Sequence, residues 1–299
     1  MKVLVFGASG FIGFPVCQAL SRGGHVVYGV TRSESNVKKL AVEEIIPIVG
    51  EYTDSKPWVS LVPTLDVVIS AVGGADIRNL DVSLLRAVSE AAQTTRPASA
   101  PKLTYIMTSG IWIHGDNRKD VVTDTTPIVN PPDLLTWRPE VEQQHVNDQV
   151  LNGIVIRPAL LYGKSGSVLE SLFKIASEGK VAWYGTPGGR YSLVHADDLA
   201  DLYLRVSEKA QLLGGKIIDA ANPQTESVDD FLDKLVDVSG AKGPYEYLKP
   251  SNVFEAAIAT TVLLRPYLAR ALVGWEPRKP GLIDGLPVYY AAWLATQKN

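Results

Sequence analysis

The apolar residues of this chain come in short, nearly unbroken runs: KVLVFG (2–7), HVVYGV (25–30), EIIPIVG (44–50), LDVVISAV (65–72), KLTYIMTS (102–109) and GIVIRPALL (153–161). A strand with one wet face alternates apolar and polar positions, whereas consecutive β-branched and aliphatic residues suit a strand buried on both faces. Between these runs lie stretches with helical spacing, among them FPVCQALSRGG and DVSLLRAVSEAAQ. Strands alternating with helices predict an α/β fold built on a doubly wound parallel sheet. Two segments break the rhythm. Residues 163–192 interrupt it after the sixth strand, and from Asn222 the pattern turns mostly helical, broken at NPQ, AKGP, LRP and RKPG. The predicted division is a sheet domain of residues 1–163 and 192–222, with a smaller, interleaved covering lobe of residues 164–191 and 223–299.

The first strand runs straight into GASGFIG, so Gly7, Gly10 and Gly13 fall between a strand and a helix. That setting asks for a tight turn, close approach of the backbone to a pyrophosphate, and close helix–sheet packing. The helix start adds free N–H donors and the positive end of its dipole. Ser9, Phe11 and Ile12 complete the turn, and Pro15 sits in the first helical turn, where its missing N–H costs nothing. The pattern predicts a dinucleotide site. At the end of the second strand, a free ribose 2′-hydroxyl would favour Asp or Glu. Here Thr31, Arg32 and Ser33 stand instead, and a guanidinium flanked by hydroxyls suits a 2′-phosphate, so NADP(H) is expected over NAD(H). The competing reading is a solvated surface arginine. Glu51, after the third strand, is a candidate acceptor for the adenine amino group or a plain surface residue.

Composition narrows the field. The chain has 299 residues, enough for a proper core, with 46% hydrophobic and 20% charged residues and a net charge of −3. No Lys/Arg-rich block supports nucleic-acid binding. A single cysteine, Cys17, leaves no disulfide framework or thiolate metal site, and it falls in an apolar helical pattern. Four histidines without H-x-x-x-H spacing give no metal site. No signal peptide precedes the glycine turn, and the longest apolar stretch is broken by Glu255, Arg265, Pro266 and Arg270, so no membrane span is expected and a cytoplasmic location is. G-x-S-x-G and G-x-x-x-x-G-K-[ST] are both absent, which removes the corresponding hydrolase and P-loop readings.

Four further stretches, MTSGIWIHGD (107–116), IRPALLYG (156–163), VHADDLADLYL (194–204) and GWEPRKPGLIDGL (274–286), resemble the extended short-chain dehydrogenase/reductases, the nucleotide-sugar epimerase/dehydratase superfamily. The resemblance implies that Pro158 and Ala159–Leu161, with Leu160 among them, line the nicotinamide ring. It implies that Ala71, Val72 and Gly73 pass along the phosphate–ribose side, and that Asp197 and Asp198 are structural, with His195 either structural or catalytic. The family's active site is a Ser or Thr, a Tyr, and a Lys four residues after the Tyr. Aligned through Gly115, this chain has Gly110 at the Ser/Thr position. Aligned through Glu142, it has Leu134 at the Tyr and Arg138 at the Lys, and no Y-x-x-x-K occurs between residues 100 and 160. Arg138 keeps a charge for the cofactor ribose but cannot exchange a proton. Candidate replacements for the proton donor are His114, then Tyr162, Tyr191 and Ser109, each with an ordinary structural alternative. Trp112, Trp137 and Trp183 are either pocket walls or core residues. His145 reads as a polar-face residue of its helix.

Three functions fit. The first is an atypical NADP(H)-dependent oxidoreductase acting on a small carbonyl, alcohol or imine compound. The second is a non-catalytic NADP(H)-binding redox sensor that reports to a partner protein. The third is a nucleotide-sugar epimerase or dehydratase, against which Leu134 argues because that chemistry draws a proton through the Tyr. The covering lobe shows no dominant charge cluster, which disfavours a pyrophosphate substrate unless Lys164, Lys174 and Arg190 converge. Nothing in the sequence separates a monomer from a homodimer.

Overall fold

Val3, Leu4, Val5 and Phe6 have no exposure at all, on either face of the first strand. Unbroken burial of this kind requires layers on both sides of the sheet. In the computed structural model, which describes residues 1–74, 76–165 and 167–297, those layers are helices on a seven-stranded parallel sheet. From one edge the strands run Ile217–Ala220, Asn152–Pro158, Thr104–Thr108, Val67–Ser70, Lys2–Phe6, Val26–Thr31 and Ile46–Val49. The six predicted runs all supply strands. The seventh, Ile217–Ala220, was not anticipated, being four residues long with an aspartate inside it.

The order places the first strand between the second and the fourth, paired in parallel with both, Phe6 opposite Val30 on one side and Ser70 on the other. The chain therefore winds outward in two directions from the first strand. The switch point lies at the carboxyl ends of the first and fourth strands, where doubly wound sheets hold their ligands.

The chain divides into two units. One comprises Met1–Ser109, Trp137–Arg157 and Leu199–Ile218; the other comprises Gly110–Thr136, Pro158–Asp198 and Asp219–Asn299. The second unit thus reaches back to Gly110, earlier than the boundary drawn from the pattern. The first has a core in which Phe6 meets Trp58 edge-on at 5.3 Å, surrounded by Leu4, Val62, Leu84 and Val88. Cys17 is buried within this unit, where burial pushes its thiol up.

The second unit is less helical than the sequence suggests. Arg190–Tyr191 pairs with Glu226–Ser227, Glu246–Leu248 with Ala182–Tyr184, and Val262–Leu264 with Asn117–Val122. Its core gathers Trp183, Leu193, Phe231, Leu235 and Trp293. Trp183 is 1% exposed and donates to the Tyr191 hydroxyl at 2.8 Å, so both are core residues. Among the described residues no helix is long and apolar enough to cross a membrane.

Candidate cofactor and active site

Backbone geometry explains the glycines of the first turn. Gly7 has φ +77°, in the left-handed region, and a Cβ there would lie 2.5 Å from the Ala71 carbonyl oxygen. A Cβ on Gly13 would overlap the Gly7 carbonyl. Gly10 donates its N–H to that same oxygen at 2.9 Å. The turn is thus folded back on itself and pressed against the end of the fourth strand, with Ala71 and Val72 half-buried and Gly73 exposed. The helix Gly13–Arg22 follows, with no side-chain cap at Ile12 and no acidic residue in its first turn. An uncapped, acid-free helix start beside half-buried Ser9, Phe11 and Ile12 suits an anion.

The second strand ends in a cluster of hydroxyls and amides. Thr31 Oγ1 accepts from Asn36 Nδ2 at 3.2 Å and lies 3.2 Å from Ser9 Oγ, which joins this cluster to the glycine turn. Ser33 Oγ and Ser35 Oγ are 2.7 Å apart. The Arg32 guanidinium carbon lies 5.4 Å from the centre of the Tyr52 ring. Lys39 donates to the Ser9 carbonyl at 3.1 Å and stands over the Phe14 ring. Arg32, Ser33 and Glu51 are all exposed. Ser35, Asn36, Lys39 and Tyr52 were missed in the sequence. The polar run TRSESN carried a signal for the first two, but Lys39 and Tyr52 join only through the fold.

Hydroxyl protons at the end of the fifth strand are committed internally. Ser109 Oγ donates to Glu142 Oε1 at 2.5 Å. Glu142 is fully buried and takes Arg157 through two guanidinium nitrogens, Nε at 3.0 Å and Nη2 at 2.5 Å. Thr108 Oγ1 donates to the Ser70 carbonyl, and its oxygen lies 2.6 Å from the Tyr203 hydroxyl. Ser109 is therefore positioned as an acceptor toward anything outside the protein. Arg138, at the family's Lys position, is buried, ion-paired with Asp81 and stacked on Trp137 at 4.3 Å. Asp81 is a partner the sequence did not reveal.

His145 corrects the sequence reading. It is 1% exposed, and its Nε2 donates to the Tyr105 carbonyl at 2.7 Å. Burial pushes the imidazole down to about 4 from its ordinary 6.5. The unfolded chain binds that proton more readily. The stabilising contribution is therefore complete above about pH 6.5 and is lost as the pH falls toward 4. Asp81 has the opposite sign. Burial pushes its carboxyl up to about 6, against the pull of Arg138. Its contribution is present below the ordinary 3.8 and lost as the pH rises through 6. His145→Gln keeps a donor for Tyr105 and removes only the imidazole. Across the window from pH 6.5 to 4 it should lose up to about 3 kcal/mol less stability than the parent in urea unfolding. Parallel pH profiles for the two proteins would overturn the assignment.

In the second unit, Gly110 is extended, and a Cβ there would meet only the Pro158 carbonyl oxygen, at 3.9 Å. Space for a hydroxyl exists, but the side chain does not. His114 Nε2 lies 2.9 Å from Asp219 Oδ2, with the imidazole 1% exposed. Tyr162 is 1% exposed, donates to the Pro280 carbonyl at 2.8 Å and accepts from Asn222 at 3.1 Å. Burial pushes its phenol up, so it is a packing residue with its proton already placed. Pro158 and Leu160 are buried and Leu161 half-buried; Leu160 pairs with Leu193. His195 Nδ1 accepts from the Asp197 N–H at 3.0 Å. Asp198 accepts from the Arg278 and Lys279 N–H groups, each at 3.0 Å. Among the described residues no group of three or more His, Cys, Asp or Glu side chains gathers as a metal site would.

Comparison with known proteins places this architecture. Residues 7–174 match the family model described as NAD(P)H-binding. A sterol-4-alpha-carboxylate 3-dehydrogenase, decarboxylating, from Dictyostelium discoideum is 23% identical over 65% of this chain and 64% of its own. A ketoreductase from Stigmatella aurantiaca, acting on 4-hydroxy-2-methyl-3-oxo-4-farnesyl-3,4-dihydroquinoline-1-oxide, is 23% identical over 94% of this chain and 84% of its own. The crystal structure of UDP-glucuronic acid 4-epimerase from Bacillus cereus, in complex with NAD, superposes with a TM-score of 0.80 over 100% of both chains at 19% identity, a likeness of fold. With the model spanning more than half of the chain and the glycine turn built as a pyrophosphate would need it, the chain belongs to the NAD(P)H-binding family, with the fold of the extended short-chain dehydrogenase/reductases.

Proposed function

We propose that this protein is an NADP(H)-dependent oxidoreductase acting on a small carbonyl, alcohol or imine compound. The observation that carries the reading is the second-strand cluster. Arg32 and the Ser33–Ser35 hydroxyl pair offer a phosphate one charge and several donors, anchored to the glycine turn through Thr31 and Ser9. A 2′-phosphate matches that set, and a guanidinium is the better partner for a planar-bidentate contact. When bound, the cofactor would supply or accept a hydride. The uncapped helix start would hold its pyrophosphate, and Pro158, Leu160 and Leu161 are the candidates to flank its ring.

Proton supply separates this reading from its rivals. General acid–base help is worth about 10²–10⁴ in rate. With Leu134 in place of the family's Tyr and the Tyr162 proton on Pro280, the proton at the substrate oxygen would come from water, which slows a reductase without forbidding hydride transfer. The committed protons of Ser109, Thr108 and Tyr162 equally favour a second reading, a redox sensor that binds NADP(H) without turning over. An epimerase or dehydratase is disfavoured by Leu134.

The test is a parallel calorimetric titration with NADPH, NADP⁺, NADH and NAD⁺, on the parent and on Arg32→Ala. We expect the parent to prefer the phosphorylated pair, and Arg32→Ala to weaken NADPH by about tenfold, the equivalent of about 1.4 kcal/mol, with NADH nearly unchanged. Equal loss for both cofactors would remove the 2′-phosphate assignment. Turnover of NADPH with any carbonyl would then separate enzyme from sensor.

A further inference from the structure

In the second unit the positions where the resemblance expects polar groups are Gly110 and Leu134, and an aromatic pair is held by the elements that follow Gly110 and pack beside the Leu134 turn. Trp112, two residues past Gly110, is half-buried and meets Phe254 edge-on at 6.3 Å. Phe254 is 47% exposed, and its neighbour Val253 is 51% exposed. Their helix, Val253–Ile258, packs beside the Asp133–Leu135 turn that carries Leu134, and beside the strand Ala182–Tyr184. Single exposed apolar residues are ordinary, but a contiguous group next to a site is a recognition surface.

Five cations of the same unit are engaged. Lys164 and Lys279 both pair with Asp197, at 2.5 and 3.1 Å. Arg190 holds Thr225, Arg265 holds the Pro223 carbonyl, and Arg118 holds Thr186 and Pro187. Lys164 and Arg190 thus serve different partners and form no joint cradle for a diphosphate.

We propose that the Trp112–Phe254 face recognises the substrate, and that the substrate is uncharged and carries a planar aromatic ring beside its carbonyl or alcohol. The carbonyl rests on the oxidoreductase reading; the ring does not. A third ring could stack on the exposed phenyl or meet the pair edge-to-face, and aromatic pairs gain beyond their buried area. Leu134 extends the apolar character to the position where the family places a phenol.

The probes are 2-acetylnaphthalene and UDP-glucose, titrated separately into cofactor-free protein and followed by naphthyl fluorescence and by calorimetry. We expect acetylnaphthalene to bind and UDP-glucose not to. Phe254→Ala and Trp112→Ala should each weaken the ring about two- to tenfold, while Trp112→Phe keeps most of the affinity. NADPH affinity should be unchanged in all three. Phe254 is exposed, so its variant keeps the test decisive even where Trp112→Ala fails to fold. Acetylnaphthalene binding that ignores both substitutions overturns the proposal, as does binding of UDP-glucose in preference to the ring. Loss of NADPH binding in the parent overturns only the oxidoreductase reading, because the ring titration contains no cofactor.

Discussion

Gly13→Ala should abolish useful cofactor binding and destabilise the first unit together. The added methyl would overlap the Gly7 carbonyl oxygen, which is backbone and already accepts from the Gly10 N–H. A flexible side chain could swing away; this oxygen cannot move without opening the turn. Overpacking of this kind costs about 1–3 kcal/mol, and more where backbone must shift. Displacing the turn also withdraws the helix start from the pyrophosphate. We expect NADPH affinity to fall on the order of 100-fold, equivalent to about 2.7 kcal/mol. Two controls isolate the cause. A Cβ on Gly10 would lie 3.1 Å from the same oxygen and should cost less, and one on Gly73 meets nothing within 4 Å and should leave stability unchanged. Thermal unfolding and calorimetry read both effects. A Gly13→Ala protein with parental affinity would show that the turn is not the phosphate site.

Arg157→Met should cost about 3–5 kcal/mol of stability, because it leaves the Glu142 carboxylate fully buried without its counter-ion. Glu142→Leu alone should cost a similar amount, because it removes the counter-ion of a guanidinium that is 5% exposed. The double variant Glu142→Leu/Arg157→Met should recover much of the loss, since an apolar pair of similar volume often replaces a buried ion pair at little cost. Glu142→Gln keeps an acceptor for Ser109 and should fall between. Urea unfolding of the parent, Arg157→Met, Glu142→Leu and the double variant closes a double-mutant cycle. Additive losses would mean that the two residues do not stabilise each other.

The fold was legible because burial on both faces writes itself into the sequence as consecutive apolar residues, and the glycine turn because only glycine fits so close to Ala71 and Gly7. The helix Arg138–Val146 was not legible, and the reason is specific. Its buried positions are Arg138, Val141, Glu142 and His145, the spacing of a core-facing stripe. Three of the four are polar, so the pattern assigns His145 to solvent. Their partners Asp81, Arg157 and Tyr105 lie 57, 15 and 40 residues away in sequence. No local pattern reports such pairings. The paired strands Arg190–Tyr191 and Glu226–Ser227, two residues each, were too short to register as a period. At the site, residue identity alone implies a missing Tyr and Lys, but the direction in which each remaining hydroxyl sends its proton required coordinates.

The same helix bears on how the chain is made. With polar groups on most of its inward stripe, it gains little from collapse onto an incomplete sheet. Its docking is favourable only once Asp81 and Arg157 stand ready to neutralise Arg138 and Glu142. During synthesis Asp81 appears early, but Arg157 follows the helix and belongs to the next strand, Asn152–Pro158. A ribosome that has released residue 146 has therefore released a helix whose Glu142 still lacks its counter-ion, and the sheet's sixth strand in chain order supplies it.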